Sequence, residues 1–331
     1  MSLILSQLVS VSKALKVVVL MIIAVLSAME AKSQTRKFVS QFSHFQNYFS
    51  PALTGYEGSN IRSFVRNQWA GMNGAPKTYF LSAELDFGEL SGLQDPALMG
   101  QNAVSISVLS DTHGAFRENE LIFSYASRIR LTQSHNLRLG AGVNYQTIRL
   151  DGNSLTWEEQ NDPILGRYLG QFSDLQVVDF NIGLALTHKK YYFSYGMHRV
   201  NGGQFTKGDK FMEAYPAEKM VQFGLRESLT ENLSLVFNGF YRSRKDLPEV
   251  LEVNIKALLM EKVWVGAGQR LNYASNINFG ILTSSMRIGY LYEFPVQKSY
   301  LLPGGTHEFT AVLNLFNSYQ PRHRREETLI W

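Results

Sequence analysis

With no cysteine among its 331 residues, this chain can do chemistry only through His, Ser, Lys and its carboxylates. The seven histidines are scattered, with no i, i+4 pair, so no helix face presents the two imidazoles that a zinc site needs. His307-Glu308 opens like a zinc-helix motif, but Ala311 stands in the place of the second histidine and the local period is that of a strand. No Gly-x-Ser-x-Gly elbow occurs. Gly140-Ala141-Gly142 and Gly266-Ala267-Gly268 lie inside alternating runs, where glycine relieves crowding on one face of a sheet rather than cradling a phosphate. Asp151-Gly152-Asn153 and Glu158 to Asp162 offer oxygen ligands to Ca2+, although their spacing is not that of an EF-hand. The expectation is no catalytic residue, no cofactor and no resident metal, with Ca2+ in that acidic loop as the one ion the oxygens would suit.

The charged side chains make sense only through the elements that place them. Fourteen runs alternate with a period of two, at 61–69, 78–86, 103–109, 121–129, 137–146, 178–186, 191–198, 220–226, 233–242, 251–258, 263–270, 277–282, 286–294 and 308–316. The cleanest sets Leu139, Ala141, Val143 and Tyr145 against Arg138, Gly140, Gly142, Asn144 and Gln146. In these runs Glu84, Arg128, Arg138, Asp179, Arg226, Lys256, Arg270, Arg287, Glu293 and Glu308 share the face that carries Gly, Ser and Asn. The other face is left almost free of charge, as lipid requires, since Arg or Lys there costs about 2–4 kcal/mol near the bilayer midplane. An open sheet edge in hydrocarbon would strand backbone N–H and C=O groups, so the strands must close.

The loops agree with closure. Connections after odd runs include the long ones, 147–177 and 199–219, whereas those after even runs are mostly short, such as 188–190 and 283–285. A transmembrane β-barrel has this asymmetry, with short periplasmic turns and longer extracellular loops, and a soluble sandwich does not. The fold class is all-β: an antiparallel barrel of about 14 strands over 60–316. Acids and bases are mixed along its lumen face, which suits salt-bridged packing of the interior rather than a selective pore.

Ahead of the barrel, residues 1–33 read as a cleaved export signal: Lys13 and Lys16, an apolar core at 17–26, then Ser27, Ala28, Ala31 and Ser33. That core is shorter than the ~20 residues a spanning helix needs. Without it the formal charge falls from +4 to +2, with 29 basic and 27 acidic residues, which gives no reason to invoke nucleic acid. The lead-in at 34–59 has no clean period; it either plugs or lines the periplasmic mouth, or is a plain ordered lead-in. Residues 317–331, with Arg322, Arg324 and Arg325, read as a polar, solvated tail.

The first hairpin carries a more specific signature. Arg66-Asn67-Gln68-Trp69 is followed, five residues on, by Gly74-Ala75-Pro76-Lys77-Thr78, and Gly304-Gly305-Thr306-His307-Glu308 precedes the last run. Together with Asp111, Gly114 and the strand around Tyr125, these resemble the PorP/SprF family of outer-membrane proteins in type IX secretion, across nearly the whole mature chain. Thr306 departs from the family's Ser before His-Glu, and Ser50 replaces Asn before Pro51. The resemblance implies a non-enzymatic outer-membrane barrel serving secretion and gliding in Bacteroidetes-like bacteria. It would receive, help secrete or anchor a surface adhesin through that partner's C-terminal secretion domain, or else belong to the core machine beside its periplasmic lipoproteins. The candidate partner-contact residues are Arg66, Asn67, Gln68, Trp69, Gly74, Ala75, Pro76, Lys77, Thr78, His307 and Glu308. A passive porin or small-solute transporter is the reading from a different class, since a fourteen-stranded lumen is wide enough.

Overall fold

The computed structural model describes residues 39–92, 102–155, 167–209, 211, 216–283, 285–296, 304–316 and 331. The expected export signal lies outside them. The strands are β1 Asn60–Asn67, β2 Lys77–Asp86, β3 Ala103–His113, β4 Phe116–Arg130, β5 Asn136–Asp151, β6 Phe172–Thr187, β7 Tyr191–His198, β8 Phe205–Gly208, β9 Glu218–Thr230, β10 Leu233–Arg244, β11 Leu247–Leu259, β12 Val263–Arg270, β13 Ala274–Leu282, β14 Met286–Pro295 and β15 Thr306–Asn314. Each pairs antiparallel with its neighbour, and β1 pairs with β15 to close the ring. Four-residue β8 stands outside that ring, adding itself to Leu175–Val178 of β6 beyond the end of β7. The barrel therefore has 14 strands, as the alternation predicts.

The two faces segregate as a bilayer demands. Outward positions carry Leu81, Ile106, Phe123, Leu139, Phe180, Phe193, Ile255, Phe279 and Phe309, all exposed, while Glu84, Arg128, Arg138, Asp179, Lys256, Arg270, Arg287, Glu293 and Glu308 are buried inside. Among the described residues no helix is long and apolar enough to cross a membrane; the crossing is made by strands.

The rims differ from the sequence expectation in three places. The region 147–177 is not all loop, because β5 and β6 stay paired from Thr147↔Gln176 to Asp151↔Phe172. Sixteen residues span about 54 Å along a strand, more than a tilted strand needs to cross an apolar band of about 25 Å. This hairpin thus runs past the apolar band while still flanked by β4 and β8, held by buried Ile148, Leu175 and Val177 with Phe116 and Phe211 against them. The region 199–219 likewise contains β8 and the first two residues of β9. At the third correction, β1 stops at Asn67 rather than running to Trp69, because Trp69 takes a left-handed φ of 50° and turns the chain.

Behind the wall lies the lead-in. From Val39 to Tyr56 every residue is buried, folded as a 3-10 turn Phe42–His44, a one-turn helix α1 Gln46–Phe49 and a second 3-10 turn Pro51–Leu53. Of the two readings open from sequence, the segment fills the lumen. Phe42, Phe45, Tyr48 and Phe49 meet Phe64, Phe80, Leu109, Ile122, Met220 and Phe240 of the strands in one apolar cluster. Phe45 packs edge-on to Phe64 and Phe80 at 4.8 and 5.5 Å.

Candidate functional site: the filled lumen and the hairpin rim

The lumen glycines are what let the plug approach. A Cβ on Gly140 would lie 2.2 Å from the Ala52 nitrogen, one on Gly196 would lie 2.1 Å from the Phe49 carbonyl oxygen, and one on Gly183 would lie 2.6 Å from Ser50 Oγ. These residues relieve crowding on the lumen face, as their place in alternating runs predicts.

Charge then pins the plug at both ends. Arg66 donates to Glu308 and Glu293, each at 2.8 Å, and to Ser40 Oγ at 2.9 Å. Arg270 reaches the same Ser40 hydroxyl at 2.8 Å, pairs with Glu293 at 3.1 Å and with Glu252 at 3.0 Å. The Glu308 carboxylate also accepts from the Ser40 and Gln41 amides at 3.1 and 2.9 Å. One end of the plug is thereby tied to β1, β12, β14 and β15. Charged groups taken out of water are tolerated when each is paired; here every one is paired, although Arg66 Nε and Glu252 Oε1 make no hydrogen bond.

Near the other end, Glu57 pairs with Arg287 at 2.8 Å and Arg62 at 2.9 Å, while Arg62 also meets Glu84 at 2.6 Å. Burial opposes ionisation of Glu57, but the charges of Arg287 and Arg62 outweigh it and hold the carboxyl down at about 2. Arg138 donates to the Ala52 and Thr54 carbonyls at 2.8 and 2.5 Å. Arg62 donates to the His44 carbonyl at 2.7 Å. Burial, then Lys256, Arg287 and Arg62, keep the His44 imidazole well below its ordinary pKa. Its Nε2 lies 2.8 Å from Lys256 Nζ.

The residues singled out from sequence come together at the barrel seam but divide across the wall. Register places Arg66 opposite Glu308 and Thr78, and Asn67 opposite His307 and Lys77. Arg66, Thr78 and Glu308 are buried, Thr78 donating to Asp111 at 2.5 Å. Asn67, Lys77 and His307 lie on the outward side, His307 at 2.7 Å from the Tyr290 hydroxyl. Gln68 and Pro76 close the turn through a 3.0 Å backbone bond, and beyond them Trp69 and Ala70 meet the strand-15 approach, Ala70 donating to the Gly305 carbonyl at 2.9 Å. A side chain on Gly304 would strike the Ala70 carbonyl at 2.3 Å. Gly74 accepts from Gly114 at 2.9 Å, joining the first turn to the β3–β4 turn, with Ala75 partly covered beside it. The signature is thus one connected rim structure, an internal clamp below and a polar outer lip above.

Sequence reading placed Arg270 and Glu293 on the lumen face but missed their grip on Ser40, and missed Glu57 and Trp331 as lumen residues. Period-two alternation carries the first fact, whereas the partners lie more than 200 residues apart. Trp331 corrects the solvated-tail expectation at that position: it is buried in the lumen, because its indole meets aromatic and cationic walls there. Residues 317–330, including the three arginines, lie outside the described residues. In the acidic loop, the Asp151 carboxylate caps the turn through the Asn153 amide at 3.0 Å, and 158–162 lies outside the described residues.

Comparison with known proteins places these features. The family model described as type IX secretion system membrane protein PorP/SprF matches residues 31–313. No curated protein matches the chain. Among solved structures, the chain is similar to the outer membrane protein Omp33 of Acinetobacter baumannii, at 8% identity over 78% of this chain and 97% of that one, TM-score 0.45. It is also similar to a FadL homologue of Pseudomonas aeruginosa, at 8% identity over 81% and 93%, TM-score 0.42. The Ralstonia pickettii toluene transporter TbuX aligns at 10% identity over 80% and 90%, TM-score 0.46.

Proposed function

This chain belongs to the PorP/SprF family of type IX secretion system membrane proteins, and from that premise we propose a non-enzymatic outer-membrane barrel that receives, helps secrete or anchors a surface adhesin. The observation that carries the reading is the filled lumen: residues 39–59 occupy the interior and are clamped by Arg66, Arg270, Glu293 and Glu308. A barrel so closed works through its rims, not as a passive conduit. The projecting β5–β6 hairpin and the β8 region form the natural docking surface, because binding residues concentrate on loops held by a rigid scaffold. Exposed β8, which among the described residues pairs with β6 alone, supports strand addition by a β-rich secretion domain. Export by a cleaved signal at 1–33 belongs to the same proposal, and so does Ca2+ as a stiffener of the acidic loop, which an unchanged melting temperature in EDTA would remove.

The test is a pull-down of the epitope-tagged protein from detergent-solubilised outer membranes, with mass spectrometry of what accompanies it. A large secreted adhesin as dominant partner is the expected result. Secretion lipoproteins in its place would move the protein to the core machine, and no partner at all would overturn the docking reading.

A further inference from the structure

We propose that the lumen holds a built binding site for an indole-bearing chain segment, filled in cis by the protein's own Trp331. Three independent groups converge on that side chain. The Arg226 guanidinium lies 4.2 Å from its ring centroid. Tyr192 meets it edge-on at 4.8 Å and Tyr56 stacks on it at 5.9 Å. A cation over an indole face is the strongest form of the cation–π contact, and a tilted aromatic pair is a favoured geometry.

The backbone of the residue is read as well. Its main-chain oxygen accepts from Lys256 Nζ at 2.8 Å and from Ser43 Oγ at 3.0 Å. Buried Lys256 Nζ meets this oxygen, Ser43 Oγ and the His44 ring. An acceptor oxygen at the Trp331 position therefore completes the hydrogen bonding of a buried Nζ donor, which would be costly left unpaired. Gly224 makes room: a Cβ there would lie 2.9 Å from Trp331 Cε3 and 2.3 Å from Tyr192 Cε1. The site thus selects an aromatic ring and a main-chain acceptor oxygen together. Since Ser43, His44 and Tyr56 belong to the plug, occupation by Trp331 also ties the plug to β9 and β11. The inference stands on these contacts and is independent of the family reading.

Two measurements on the full chain in detergent test it. The first subtracts the tryptophan emission of the Trp331→Ala protein from that of the unaltered one, isolating one of the four indoles. Expected is a blue-shifted spectrum shielded from acrylamide; emission and quenching like those of free tryptophan would overturn the proposal. The second adds a dye-labelled peptide of residues 326–331, unmodified at Trp331, to the Trp331→Ala protein. Saturable binding, competed by unlabelled peptide and lost when the peptide ends in Ala, is expected. Introducing Arg226→Met in that background should weaken it several-fold, to about tenfold, with Gly224→Val abolishing it. No saturable binding, or equal binding to all variants that keep heat-modifiable migration, would overturn it.

Discussion

Glu308 is the residue on which the plug's fastening converges, since one carboxylate meets Arg66 and two plug amides. Removing one partner of a buried pair leaves the other charge uncompensated, at about 3–5 kcal/mol. Glu308→Ala should therefore lower the heat-modifiability midpoint sharply, whereas Arg66→Met with Glu308→Leu should cost less than the two singles combined, because neither orphaned charge remains. A strictly additive pair would refute the clamp. Glu57 gives the pH signature. Its folded pKa is depressed from 4.5 to about 2, so between those values the unfolded chain binds more protons and stability rises with pH. The contribution, of order 3 kcal/mol at 1.36 kcal/mol per unit, is complete above pH 4.5 and lost as pH falls through about 2. Glu57→Gln should flatten acid unfolding in that window. Of this residue chemistry, the inward placement of Glu293 and Glu308 was legible from alternation, but pairing to Ser40 was not, since the contact joins positions 253 and 268 apart.

At the scale of elements, the strands were legible and their ends were not. Alternation is fixed by which face meets lipid, so all fourteen runs reappear as barrel strands. Their ends answer to tertiary contacts: β1 stops early where Ala70 bonds Gly305, and β5 and β6 continue where Ile148, Leu175 and Val177 find cover. The plug is the element least visible in sequence, because a segment buried on all sides shows no amphipathic period. Its fit rests on close backbone approach, which gives a prediction at this scale. Gly140→Val places branched carbon where the Ala52 backbone lies at 2.2 Å. Limited proteolysis should then cut within residues 39–59, while the barrel keeps its folded migration on gels. Protection equal to the unaltered protein would mean that the plug is not seated against β5.

The whole molecule must solve a problem of width. Eight strands close around an interior that side chains can fill, and sixteen to eighteen leave an aqueous channel. Fourteen fall between, so the strands' own side chains do not suffice and something further must occupy the space; here it is the lead-in, with Trp331 beside it. That accounting predicts electrical behaviour. The purified protein should be silent in planar bilayers, and deletion of residues 39–59 should give steady conductance, since the remaining wall is polar and mixed in charge. Arg66→Met with Glu308→Leu should give intermittent openings, because the apolar contacts of Phe42, Phe45 and Phe49 persist after the ionic ties are gone. Steady conductance from the unaltered protein would return the porin reading and remove the argument that the rims are its working surfaces. Silence that the deletion relieves would instead mean the barrel is held shut by its own chain, and a barrel held shut offers a secretion partner only its loops, its lip and its edge strand.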